Sequence, residues 1–200
     1  GDEEAGLLEM KEEPILQIPD EFPKQFAYDS GYDFPYPQDG VKGIYVTGHS
    51  AGGSHMEKLV DFINETDLNA MVIDVKDDYG DMMFDLESDH ELVQEFSANL
   101  ADVEETMELL EGNEIYPIAR IVVFKDIRLA EERPDLSFTH DDGSVWANGR
   151  GENFVNPFSE EVWDYNIEVA KQAAKLGFKE IQVDCVRFPE GFENRAYELN

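Results

Sequence analysis

Near its C-terminal end the chain carries Lys179-Glu-Ile-Gln-Val-Asp-Cys-Val-Arg-Phe-Pro-Glu190, a β-type run in which one carboxylate, Asp184, interrupts apolar residues. An ionised side chain in a buried strand is costly unless it is paired or used. Three further segments repeat the pattern. Tyr45 with Thr47, Asp74 with Lys76, and Arg120 fall on the polar side of period-two alternations, as Gln182 and Asp184 do. Brought to one rim, these rows would set two carboxylates among cations and an aromatic ring. That chemistry suits an ionised carboxylate used for attack or proton transfer, with Lys76, Arg120 and Arg187 keeping Asp184 charged. The same residues also fit an ion-pair network that serves packing alone.

The elements that must position them alternate along the chain. Strands are expected over 41–47, 69–76, 115–124 and 180–187. Helices are expected over 54–66, with Ser54 and Glu57 as a capping box, over 91–110 with a stop at Gly112, and from a Ser159 cap to Gly177. Residues 125–156, with Arg133-Pro134, Asp141-Asp142-Gly143 and Trp146, read as a long insertion. Strand–helix alternation implies right-handed βαβ units, a parallel sheet, and function at the strand C-termini. The non-polar rows are Ile44 and Val46, Ile73 and Val75, Ile121 and Val123, and Ile181, Val183 and Cys185. An open sheet covered by helices on both sides would be apolar on both faces. One polar and one apolar face favour a barrel, so the expectation is an α/β fold with a TIM-type (β/α) barrel over residues 41–200. Residues 1–40, acidic and then punctuated by Pro14, Pro19, Pro23, Pro35 and Pro37, read as an irregular leader. Its Tyr28, Tyr32, Phe34 and Tyr36 are expected to pack against the barrel.

Composition narrows the partners. With 200 residues, 42% hydrophobic and 12% aromatic, the chain can bury one sizeable core. A net charge of −31 argues against nucleic acid and anionic membranes, which are bound by basic clusters. Neutral or cationic ligands, sugars included, stay open. No apolar run reaches the ~20 residues of a membrane span. A single cysteine, Cys185, excludes an intramolecular disulfide and leaves redox compartment unreadable. The chain starts at Gly1 without a methionine, and an extracellular or cell-surface location after removal of an export signal is the expectation.

Taken as a set, Val41-Lys-Gly-Ile-Tyr-Val-Thr-Gly48, Asn69-Ala-Met-Val-Ile-Asp-Val-Lys-Asp-Asp78, Pro117-Ile-Ala-Arg-Ile-Val-Val-Phe-Lys-Asp126 and Glu180-Ile-Gln-Val-Asp-Cys-Val-Arg-Phe-Pro189 resemble a family of glycoside hydrolase domains with a (β/α)8 barrel. Phe154-Val-Asn-Pro and Val162-Trp-Asp-Tyr-Asn belong to the likeness, which covers residues 41–190. The last strand block also resembles the fourth strand of α-amylase-type barrels, and that resemblance implies Asp184 as nucleophile. Gln182 stands where that pattern carries an arginine that steadies the nucleophile, a place Arg120 or Arg187 could fill. Glycoside hydrolysis needs a second carboxyl group. Asp74 or Asp77 is the expected partner, with Glu190 behind them, and Tyr45 and Trp146 are expected to stack on sugar rings. No cofactor or metal is expected. A complete barrel takes about 250 residues. Four strands therefore imply the N-terminal part of one, either a piece of a longer chain or a half completed by a second copy.

Two other readings compete. Gly48-His49-Ser50-Ala51-Gly52 matches G-x-S-x-G between a strand and a helix. Ser50 would then be a serine-hydrolase nucleophile, with Asp74, Asp126 or Asp135 and His90 or His140 as partners. The absence of any histidine beyond His140 weighs against it. The other reading is a non-catalytic carbohydrate-binding remnant of a barrel. His49 and His55 lack zinc-site spacing, and Asp77-Asp78-Tyr79-Gly80-Asp81 lacks the ligand pattern of a calcium loop.

Overall fold

The computed structural model describes residues 28–51 and 53–184. Four runs with β-branched residues on their core-facing rows form the strands β1 (Gly43–Val46), β2 (Ala70–Lys76), β3 (Tyr116–Val122) and β4 (Glu180–Asp184). They pair in parallel in the order β1-β2-β3-β4. Each strand lies beside its predecessor and the order never reverses, which is the path of one arc of a barrel and not of a doubly wound sheet. The register sets Tyr45 opposite Val72, Asp74 opposite Arg120, Arg120 opposite Gln182, and Val122 opposite Asp184. One face thus carries Tyr45, Asp74, Arg120, Gln182 and Asp184, as the alternation predicts.

The other face is covered by helices. Val46, Ile73, Ile121 and Ile181 share one core with Val60 and Ile63 of α1 (Gly53–Asn64), with Met107 and Leu110 of a later helix, and with Val169 and Ala173 of the last helix. Each fully buried aliphatic side chain of this kind contributes roughly 1.5–3 kcal/mol. α1 starts at Gly53, one residue before the expected cap, so Ser54 lies in its first turn.

The expected helix over 91–110 is two helices, α2 (Glu91–Glu95) and α3 (Val103–Gly112). Between them the backbone abandons helical bonding and pairs with the segment after β2. Met82 N donates to Phe96 O at 2.8 Å, Ala98 N to Met82 O at 2.7 Å, and Leu100 N to Met83 O at 2.8 Å, with Asn99 at φ 44°. Asp102 restarts the helix, its Oδ1 accepting from Glu105 N at 3.1 Å.

The insertion after β3 has its own order. It contains α4 (Ile127–Glu132), a 3-10 turn at Pro134–Leu136, and antiparallel bridges Ser137↔Val155, Thr139↔Val145 and Ala147↔Asn153. A separate small core of Phe138, Trp146 and Phe154 holds it. The last helix, α5 (Glu160–Leu176), starts where Ser159 Oγ accepts from Val162 N and ends at Gly177. Gly177 has φ 123°, and a Cβ there would lie 3.0 Å from the Tyr32 ring. Residues 28–40 form no helix or strand, yet Phe34 is buried in the main core and Tyr36 packs edge-on against Tyr116 at 5.5 Å. Among the described residues no helix is long and apolar enough to cross a membrane.

Candidate active site

Arg120 organises the upper end of the polar face. It rises from the middle of the sheet between β2 and β4, and its guanidinium meets acids on both sides. Nε donates to Asp184 Oδ2 at 2.7 Å, Nη1 to Asp74 Oδ1 at 2.8 Å, and Nη2 to Asp78 Oδ1 at 3.2 Å. Nη1 also reaches the Tyr45 hydroxyl at 3.2 Å, and Tyr45 donates to Asp74 Oδ2 at 2.5 Å. Both oxygens of Asp74 therefore accept hydrogen bonds, Oδ1 from Arg120 and Oδ2 from Tyr45. Burial works against the charge on Arg120, but the bonds to Asp74 and Asp184 outweigh it and raise the pKa further. Burial, then the bond to Asp74, push the Tyr45 phenol well above its ordinary value. The Tyr45 ring lies 5.2 Å from the guanidinium carbon and is 52% exposed, so one face of it is open to a ligand.

The charged row continues outward. Lys125, just beyond β3, pairs with Asp78 at 3.8 Å and with Glu152, which comes from the insertion. Burial raises the Glu152 carboxyl, but hydrogen bonds from Asn148 and Lys125 dominate and hold it below the usual range. The row thus runs Asp184, Arg120, Asp78, Lys125, Glu152, with Asp74 and Tyr45 beneath Arg120. Arg120 sits opposite Gln182 on the neighbouring strand and reaches two residues up β4 to Asp184.

Four expected site residues meet here: Tyr45, Asp74, Arg120 and Asp184. Three do not. Lys76 was expected beside Asp74, but a bulge between Asp74 and Lys76 puts Lys76 opposite Ile121, on the helix side of the sheet. There it is fully buried, 2.6 Å from Asp126 and 2.9 Å from Asn166 Oδ1, where no substrate can reach it. Asp77 is buried too. Its Oδ1 accepts from Tyr79 N and Asp81 N, both at 2.9 Å, and so shapes the turn after β2, while burial raises its pKa. Trp146 is 3% exposed between Phe138 and Phe154 and anchors the insertion instead of offering a ring to a sugar. Arg187 and Glu190 lie outside the described residues.

Sequence reasoning missed Asp78, Lys125 and Glu152 as members of the row. Asp78 and Lys125 each stand just past the end of a strand, which is a usable signal. Glu152 gave none, because its approach depends on how the insertion folds. The G-x-S-x-G segment assembles no triad among the described residues. Ser50 ends a 3-10 turn and its Oγ accepts from Thr47 Oγ1 at 3.1 Å. His90 lies against Tyr165, His140 belongs to an exposed turn, Asp126 pairs with Lys76, and Asp135 with Arg133. Gly48 has a packing reason, since a Cβ there would fall 2.1 Å from Met83 Cγ. Among the described residues no group of three or more histidine, cysteine or acidic side chains is disposed to hold a metal ion.

A parallel sheet of consecutive strands, helices on its outer face and a charged rim at the strand C-termini define a partial (β/α)8 barrel. Residues 43–200 match the family described as "putative glycosyl hydrolase domain", and the chain belongs to that family. Among solved structures it is similar to a hypothetical protein from Ruminiclostridium thermocellum ATCC 27405, with 34% identity and a TM-score of 0.68 over 74% of this chain and 78% of that one. It is also similar in fold to the noncanonic maltogenic α-amylase AmyB of Thermotoga neapolitana, at 10% identity and a TM-score of 0.53, covering 78% of this chain and 42% of the amylase. No curated protein matches the chain.

Proposed function

We propose that this domain cleaves glycosidic bonds at the Arg120 rim, with Asp184 as the carboxylate that meets the anomeric carbon. The observation that carries the reading is the single guanidinium that grips Asp184 from β4 and Asp74 from β2. A cation held 2.7 Å from Asp184 suits the carboxylate that attack on or stabilisation of an anomeric centre requires. Asp74 takes the second place, as the carboxylate that orients Arg120 and Tyr45. Tyr45 offers its exposed ring to a sugar face, and Asp78, Lys125 and Glu152 form the wall on the insertion side. The leaving oxygen needs a proton when the C–O bond breaks, and both oxygens of Asp74 are already engaged as acceptors, by Arg120 and Tyr45.

That last point favours a second reading on a specific observation, a carbohydrate-binding barrel that holds glycan without cleaving it. One experiment separates the two. A panel of aryl glycosides and oligosaccharides is assayed with wild type and Asp184→Asn, and binding is followed by titration calorimetry. Cleavage by wild type, lost in Asp184→Asn with binding nearly intact, supports the enzyme. Binding without cleavage by wild type favours the binding module. Cleavage that survives Asp184→Asn refutes the assigned role.

A further inference from the structure

Lys76 and Asp126 are fully buried, 2.6 Å apart, and none of the proposed chemistry uses them. A buried ion pair costs desolvation and is seldom the cheapest way to fill a core. Its surroundings say what it does. Lys76 stands at the far side of the bulge that begins at Asp74, and it also donates to Asn166 of α5 and lies 5.0 Å from the Tyr165 ring centre. Asn166 in turn donates to Val123 O, just past the end of β3. Asp126 caps α4 by accepting from Leu129 N at 2.8 Å. Against Asp126 sits Gly80, at φ 93°, in the turn after β2; a Cβ on Gly80 would fall 2.0 Å from Asp126 Oδ1. Arg128 closes the same joint, its N donating to Tyr79 O at 3.0 Å and its Nε to Asp81 at 2.9 Å. The pair therefore bolts the end of β2 to the end of β3 and to two helices.

We infer that the Lys76–Asp126 pair is a positioning strut: it fixes the β2 bulge and the following turn so that Asp74 and Asp78 meet Arg120, and Arg120 is thereby aimed at Asp184. The catalytic consequence rests on the glycosidase reading, whereas the aim of Arg120 does not. Lys76 is a positioning residue and touches no substrate.

The test uses Asp126→Asn, which keeps a cap oxygen for Leu129 N, and the double variant Lys76→Met/Asp126→Asn, which leaves no lone buried charge. Circular dichroism and urea unfolding select whichever is folded. The Arg120 Nε–H resonance in ¹⁵N–¹H spectra then reports the bond to Asp184, with an Arg120→Lys control assigning the peak. The expected result is a folded variant whose Arg120 Nε–H exchanges with solvent at least about tenfold faster, with kcat down roughly 10–100-fold and KM nearly unchanged. A folded variant with the wild-type Arg120 resonance and unchanged kcat overturns the inference. If wild type cleaves no glycan, the glycosidase reading falls alone, and the resonance still decides whether the strut aims Arg120.

Discussion

Replacing Arg120 with methionine removes the cation but keeps much of the side-chain volume. The loss is dominated by Asp74, whose side chain is 5% exposed and whose main partner is an Arg120 side chain that is 12% exposed. Stranding one partner of a buried pair costs about 3–5 kcal/mol. Asp78 and Asp184 are each 44% exposed, so their pairs add at most about 0–1 kcal/mol apiece after solvent screening. The removal of a partly buried arginine recovers some desolvation. A net cost of about 3–4 kcal/mol follows, or a fall in Tm of roughly 6–16 °C for a domain of this size. Asp74→Asn should cost less, about 1–2 kcal/mol, because Arg120 keeps two other acids and the amide oxygen still accepts a hydrogen bond. The diagnostic species is Arg120→Met/Asp74→Asn, in which no lone charge is buried. It should be more stable than Arg120→Met by about 1–2 kcal/mol, so the two changes are coupled. Urea unfolding of the four proteins measures each value. A single Arg120→Met variant within 1 kcal/mol of wild type, or a double variant no more stable than Arg120→Met, would refute the reasoning.

Two further outcomes follow from residues that left the expected site. Asp77 has a pKa raised by burial, so its ionised form is penalised in the folded state; that penalty is present above the folded pKa and vanishes as pH falls below the unfolded value of about 3.9. Asp77→Asn, which can still accept from Tyr79 N and Asp81 N, should therefore stabilise the protein at pH 7 and lose that advantage on acidification, as read by urea unfolding across pH. Trp146→Ala empties the small core of the insertion and should cost about 3–5 kcal/mol of local stability; limited proteolysis should cut residues 137–155 far faster while the main-core unfolding transition moves little, and equal cutting of both proteins would refute the assignment.

What could be read in advance depended on whether the physics is periodic. Strand faces are fixed by a period of two, so Tyr45, Asp74, Arg120 and Asp184 could be placed on one side from sequence alone, and the core rows on the other. A bulge breaks that period without any residue that announces it: Val75 and Lys76 look like an ordinary continuation of β2, and Lys76 was therefore expected at the rim. The break between α2 and α3 is hidden for a related reason. Residues 91–110 have helical periodicity in both halves, and only the Asp102–Glu105 start signal marks the break. Trp146 could have been read correctly, since Phe138, Trp146 and Phe154 recur at steps of eight through a turn-rich segment, as partners across short hairpins do. The Lys125–Glu152 contact had no such rule behind it.

The charge count at the rim ties the fold to the proposed chemistry. Among the described residues the row holds two cations, Arg120 and Lys125, against four acids, Asp74, Asp78, Asp184 and Glu152. Each cation is shared by at least two carboxylates, so neither presents an unengaged positive charge to a ligand, and an anionic sugar would meet a net negative wall. Glycoside cleavage builds positive charge at the anomeric carbon, in an oxocarbenium-like transition state. A pre-set negative excess stabilises that charge as it forms and costs no reorganisation at that moment. Arg120 makes the excess tolerable, because without it three carboxylates from β2, its following turn and β4 would repel one another at the sheet's upper edge. The guanidinium thus resolves a problem that the barrel itself creates by converging strand ends, and it leaves Asp184 partly exposed against a fixed cation, where the proposed chemistry needs a carboxylate.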